Sequence, residues 1–218
     1  MSALPSFLPR RLARLALLLA ATPLSTAQPH VPALPPGCLP PDDQLDLWCP
    51  GARGTPPAAG DETVPCYKIP SLLRTTNGTL LAFIEARRTQ CGDGGLIDLK
   101  LRRSTDDGKS WLASQVVFAE TPEAGVTIGD ACPVQDRRTG VVHLIFTRNN
   151  ADVYYTSSSD EGASWAAPVN ISASVDGHRE PGHGFIGTGH AAGLQLASGE
   201  SARSYGDRTE TIIERGRI

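Results

Sequence analysis

The chain has 218 residues, with 20 Lys and Arg against 23 Asp and Glu, a formal charge of −3 and 40% apolar residues. That balance excludes a coiled coil, a collagen-like fibre and a strongly charged disordered tail. With no long basic run to neutralise phosphates, it also argues against a nucleic acid partner. The 22 Gly and 18 Pro, among few long apolar runs, predict many turns and short strands, hence an all-β chain.

Arg10, Arg11 and Arg14 precede an apolar stretch from Leu15 to Ala21. This stretch is about half the length needed to cross a ~30 Å hydrocarbon layer. With the small residues Ser25-Thr26-Ala27 after it, the pattern predicts a secretory signal over residues 1–27, a secreted or extracytoplasmic location and no transmembrane segment. An amphipathic first helix is the competing reading, but Pro23 and the Pro-rich run from Gln28 to Pro41 would stop it. Residues 28–62 form a Pro-rich N-terminal segment. Cys38, Cys49, Cys66, Cys91 and Cys132 suit disulfides in an oxidising compartment, and their odd number leaves at least one unpaired or bonded elsewhere. Their connectivity stays open. No CxxC pair occurs, so no metal and no cofactor is expected. Asn77-Gly78-Thr79 and Asn170-Ile171-Ser172 match the glycosylation acceptor pattern.

Strands are predicted near Ile69–Leu73, Leu80–Glu85, Ile97–Arg103 and Gln115–Ala119, with a tight turn at Asn77-Gly78. Within the third, Ile97, Leu99 and Leu101 alternate with Asp98, Lys100 and Arg102. A second set follows at Cys132–Gln135, Val141–Thr147, Val153–Ser157 and Ala167–Ile171, and Gly193–Leu196 opens a third. The repeat is marked by one motif, S-x-D-x-G-x-S-W, at Ser104, Asp106, Gly108 and Trp111 and again at Ser158, Asp160, Gly162 and Trp165. A turn explains this spacing. The carboxylate accepts backbone N–H bonds across it, Gly takes a positive φ, and Trp folds back on the sheet. Four-stranded units recurring every ~50 residues are the building blocks of β-propellers. Two units and the start of a third do not close a ring.

These motifs are Asp boxes, and with their surroundings the chain resembles the exo-α-sialidase (neuraminidase) family of six-bladed propellers. Tyr67-Lys68-Ile69-Pro70 is similar to the family's Y/F-R-I-P motif. Glu85-Ala86-Arg87-Arg88 with Asp93-Gly94-Gly95-Leu96-Ile97-Asp98 resembles its E-x-R…D segment. Gly129–Val134 and Gly193–Leu196 resemble later segments in order and spacing. The resemblance covers about Cys66 to Gly199 and implies a sialidase-type propeller, incomplete, over residues 63–199, with 200–218 a divergent tail.

It further implies hydrolysis of terminal α-linked sialic acids from glycoproteins, glycolipids or oligosaccharides, through a Tyr nucleophile assisted by Glu. Asp93 would be the acid/base catalyst, Arg87 and Lys68 substrate-binding cations, and Asp130 a carboxylate for a sugar hydroxyl. Lys68 stands where the family has the first arginine of its carboxylate clamp. The Tyr–Glu pair and the other clamp arginines fall in later blades of the family.

Each site residue also has an ordinary reading. Asp93 and Asp130 could be turn residues, Lys68 a solvated strand-edge lysine, and Arg87 a structural base. Asp106 and Asp160 are accounted for by their turns. His178, His183 and His190 lie close in sequence, but Pro181 and several glycines exclude a helical metal-binding spacing. A non-catalytic extracellular Asp-box protein that binds carbohydrate or protein is the alternative function. Uncovered sheet edges predict self-association.

Overall fold

The computed structural model describes residues 47–48, 64–175 and 184–196, and the backbone of two further strands at 201–205 and 209–213. The expected signal at 1–27, most of the Pro-rich segment, Cys38, Cys49, His178 and His183 lie outside the described residues. No helix among the described residues is long and apolar enough to cross a membrane.

Two antiparallel four-stranded meanders make up the body of the structure. The first runs β1 (Cys66–Arg74), β2 (Leu80–Arg87), β3 (Ile97–Ser104) and β4 (Gln115–Phe118). The second runs β5 (Ile128–Gln135), β6 (Val142–Arg148), β7 (Asp152–Ser158) and β8 (Val169–Asn170). The β1–β2 connection closes as expected, with Gly78 at φ +90 and the Thr75 N–H donating to the Thr79 carbonyl at 2.9 Å. A third sheet pairs β9 (Leu194–Gln195) with β10 (Ser201–Tyr205) and β10 with β11 (Thr209–Ile213), so pairing continues across position 199.

The first strands of the two sheets, β1 and β5, are irregular at the same place. Register shifts between Lys68 and Ser71 in β1, and between Gly129 and Cys132 in β5. In each bulge one residue is left-handed: Ile69 at φ +55 and Asp130 at φ +56. Such bulges re-aim side chains, and a β-branched residue adopts this backbone only under constraint.

Between the sheets, Leu81, Phe83, Leu99 and Leu101 of the first pack on Ile128, Ala131, Val142, Leu144 and Phe146 of the second. Burying each of the Leu, Ile, Val and Phe side chains contributes roughly 1.5–3 kcal/mol. The polar face of β3 is buried too, with Asp98, Lys100 and Arg102 at 1%, 2% and 7% exposure. The alternation in sequence therefore separates two covered faces. Arg88 pairs with Asp98 at 2.9 Å, and the Arg102 guanidinium lies 5.7 Å from the Trp48 ring.

Both S-x-D-x-G-x-S-W segments form the same turn. Asp106 Oδ1 accepts from the Ser110 amide at 2.9 Å and Asp160 Oδ1 from the Ser164 amide at 2.9 Å. The Gly108 and Gly162 amides donate to Ser104 and Ser158, each at 2.9 Å. Their packing differs. The second turn braces the first sheet: Trp165 lies edge-on to Phe83 with ring centroids 5.8 Å apart, and Gln115 donates to the Gly162 carbonyl at 2.8 Å. Gly162, at φ +76, leaves only 3.0 Å between an added Cβ and Leu81. Cys66 and Cys91 form a disulfide, and Cys132 is buried outside it.

The Ser110 hydroxyl and amide hold the Asp106 carboxyl down to about 2. At Asp160 burial pushes upward, but hydrogen bonds from Ser164 and Ser158 outweigh it and bring the carboxyl to about 2. Stability from a depressed carboxyl is present above its unfolded value of 3.8 and is lost as pH falls through about 2. Asp160→Ala should therefore lower Tm by roughly 2–4 °C at pH 7, more than Asp106→Ala, because among the described residues only the second turn braces the other sheet. The gap between Asp160→Ala and wild type should close as pH is lowered from about 4 towards 2, as thermal melts would show.

Candidate functional site

Arg87 ends β2 with its side chain only 3% exposed. A buried guanidinium must place its donors on acceptors, and it does so on both sides. Nε and Nη2 donate to Glu85 Oε2 at 3.2 and 2.8 Å. Nη1 donates to the carbonyls of Cys91 at 3.0 Å and Gly92 at 2.6 Å, and to Asp93 Oδ1 at 2.6 Å. The loop carrying Asp93 is thus wrapped onto the arginine. The Cys66–Cys91 disulfide ties it to the start of β1, and the Thr127 hydroxyl holds the Gly95 carbonyl at 2.9 Å.

The second sheet enters through the β5 bulge. The Asp130 amide donates to Glu85 Oε1 at 3.1 Å. Its carboxyl accepts from the Thr147 hydroxyl at 3.1 Å, and its carbonyl from Thr188 at 2.6 Å. Gly129 is needed here for close approach, since an added Cβ would lie 2.1 Å from Glu85 Oε1.

The carboxyls differ sharply. Asp93, whose side chain is 82% exposed, is held below the usual carboxylate range by the Arg87 hydrogen bond and charge, then by the Lys68 ammonium. Burial pushes Asp130 up, against the Thr147 hydrogen bond. Burial likewise raises Glu85, against the Asp130 amide and Arg87. One end of the sheets therefore presents an exposed anion beside an exposed ammonium, with a half-buried carboxyl supported from the second sheet. These groups can bind a polar, hydroxyl-rich anion and exchange a proton with it.

Lys68, Arg87, Asp93 and Asp130 come together at this end. Ser104, Asp106, Gly108 and Trp111, and Ser158, Asp160, Gly162 and Trp165, build turns at the far ends of β3 and β7. Glu85, the glutamate of the E-x-R segment, and Thr147 complete the site, and the sequence reading assigns neither of them a role. The spacing of Glu85 and Arg87, two apart on one strand face, is the signal that could have found the glutamate. His190 is exposed beside the site, close enough for its charge to act on Asp130.

Gly129→Ala should destabilise the protein by about 1–3 kcal/mol, because the methyl meets the buried Glu85 carboxylate. Gly187→Ala is the control, since its added Cβ would find Phe185 at 3.6 Å and Asp130 at 3.7 Å, ordinary contact distances. Chemical denaturation midpoints of the two variants decide it. Equal midpoints would contradict the close approach.

No protein-family model matches the chain. It is 31% identical over 182 residues to a sialidase of Micromonospora viridifaciens, an alignment covering 78% of this chain and 26% of that protein. It is 27% identical over 167 residues to a sialidase of Bacteroides fragilis, covering 65% of this chain and 30% of that one. Among solved structures, the Hadza microbial sialidase Hz136 superposes with a TM-score of 0.60 at 23% identity, over 67% of this chain and 33% of its own. The chain thus spans less than a third of the length of these two curated relatives. The motif order, the paired four-stranded sheets and these relatives agree: the chain belongs to the exo-α-sialidase family, of whose propeller it carries part.

Proposed function

We propose that this chain contributes the first part of the active site of a secreted glycoside hydrolase, which removes terminal α-linked sialic acids from glycoproteins, glycolipids or oligosaccharides. The observation that carries this reading is the Arg87–Asp93 pair at 2.6 Å, with Lys68 acting on the same carboxylate and Asp130 supported beside it. Secretion is directed by residues 1–27.

In the reaction Asp93 donates a proton to the leaving glycosidic oxygen and afterwards takes one from the attacking water. The later blades supply the nucleophile. In the unliganded site Arg87 and Lys68 keep Asp93 ionised, so substrate entry must loosen that pairing and desolvate the carboxyl before it can carry a proton. Lys68 and Asp130 bind the sugar's carboxylate and a hydroxyl. Arg87 has its donors on its own chain and acts mainly by holding Asp93 in place. An ammonium lacks the planar fork of a guanidinium, so anchoring of the sugar carboxylate is weaker at this position.

With the gene's complete product and a fluorogenic sialoside, Asp93→Asn should cut kcat by about 100-fold or more. Lys68→Arg should lower KM with kcat little changed. Full turnover in Asp93→Asn would rule the role out. A second reading, carbohydrate binding without catalysis, is favoured by Lys68 and by the hydrogen bonds that Arg87 makes within its own chain. Saturable binding of sialyllactose without release of sialic acid would establish it.

A further inference from the structure

Glu85 is 4% exposed, and both its carboxylate oxygens are engaged, each toward a different sheet. Oε2 takes Arg87 of the first sheet at 3.2 and 2.8 Å, and Oε1 takes the Asp130 amide of the second at 3.1 Å. The Asp130 amide belongs to a left-handed residue inside a bulge, so it points where a regular ladder would not send it. Gly129 beside it has no side chain, which leaves the carboxylate room to approach.

An ordinary structural ion pair would not call for this arrangement. A buried charge pair contributes little net stability against apolar residues of similar volume, and the carboxylate's second oxygen could be satisfied from within its own sheet rather than from another. What this geometry secures is registry: the arginine holding Asp93 and the bulge presenting Asp130 are fixed to the same carboxylate.

We propose that Glu85 is a positioning residue, which sets the Arg87–Asp93 unit of the first sheet and the Asp130 bulge of the second at their working separation. It touches neither substrate nor the reacting atoms. Amide nitrogen cannot replace it. In Glu85→Gln one of the two sets of N–H donors must face an NH2 group, whichever way the amide is turned. Glu85→Asp keeps the charge for Arg87 but is one methylene too short to reach the Asp130 amide as well. This inference deepens the sialidase reading and rests on it for its kinetic arm only.

The test combines kinetics of the gene's complete product on a fluorogenic sialoside, well below each variant's Tm, with 15N NMR of the Arg87 Nε–H and the Asp130 amide. Glu85→Gln should lower kcat/KM roughly 10- to 100-fold, as expected for a small misplacement of site groups, and should shift both resonances. Glu85→Asp should recover most of kcat while KM stays raised, and only the Asp130 amide should remain shifted. Lowered Tm with unchanged kcat and KM in both variants, or both resonances unmoved in Glu85→Gln, would overturn the proposal. A wild-type protein without turnover would overturn the sialidase reading alone, and the resonances would still decide the positioning.

Discussion

The site is organised by one requirement, that a guanidinium taken almost wholly out of water must place its N–H groups on acceptors. Arg87 meets it with a carboxylate from its own strand and with carbonyls from the loop that follows. A loop of Gly and polar residues has little apolar surface to hold it down. Here the guanidinium supplies the template, and the Cys66–Cys91 disulfide closes it from the β1 side. The position of Asp93 follows from that wrapping, not from any preference of its own backbone.

The paired bulges extend the same logic across the sheets. Ile69 and Asp130 take left-handed backbone at equivalent points of β1 and β5. For Asp the conformation is tolerated, whereas for a β-branched residue it costs of order 1–3 kcal/mol. That a cost of this kind is retained next to Lys68 makes the bulge a device for aiming the side chains of β1. It recurs in the second sheet, where it aims an amide at Glu85 and a carboxyl at Thr147.

Much of this was legible in the sequence, and the limits have physical causes. Strand positions followed from period-two patterning and the Asn77-Gly78 turn, and the two tryptophan-ended turns followed from their own internal chemistry, which is local. Asp93 and Arg87 were found through flanking motifs. Glu85 lies in the same E-x-R segment, but its role was not legible, because it depends on a bulge in another sheet, and no local pattern announces which amide a buried carboxylate will meet. The burial of Asp98, Lys100 and Arg102 was hidden for a related reason: alternation reports that two faces differ, not that one is wet. Trp48, far away in sequence, is part of what covers Arg102.

The charges at the site define how its free and occupied states must differ. Burial raises Asp130 and Glu85 while Arg87 lowers Asp93, so neighbouring carboxyls are driven in opposite directions by environment alone. An exposed Asp held ionised by a cation is a base, not an acid, while water surrounds it. Under the proposed reaction the anionic sugar brings its own carboxylate to Lys68, which removes part of the positive field on Asp93, and the sugar ring displaces water from it. Both changes move the Asp93 carboxyl upward. The buried Glu85 acceptor meanwhile keeps Arg87 in place when its bond to Asp93 lengthens. Substrate binding can thereby convert the residue from its resting charge state to a proton donor without rebuilding the site around it.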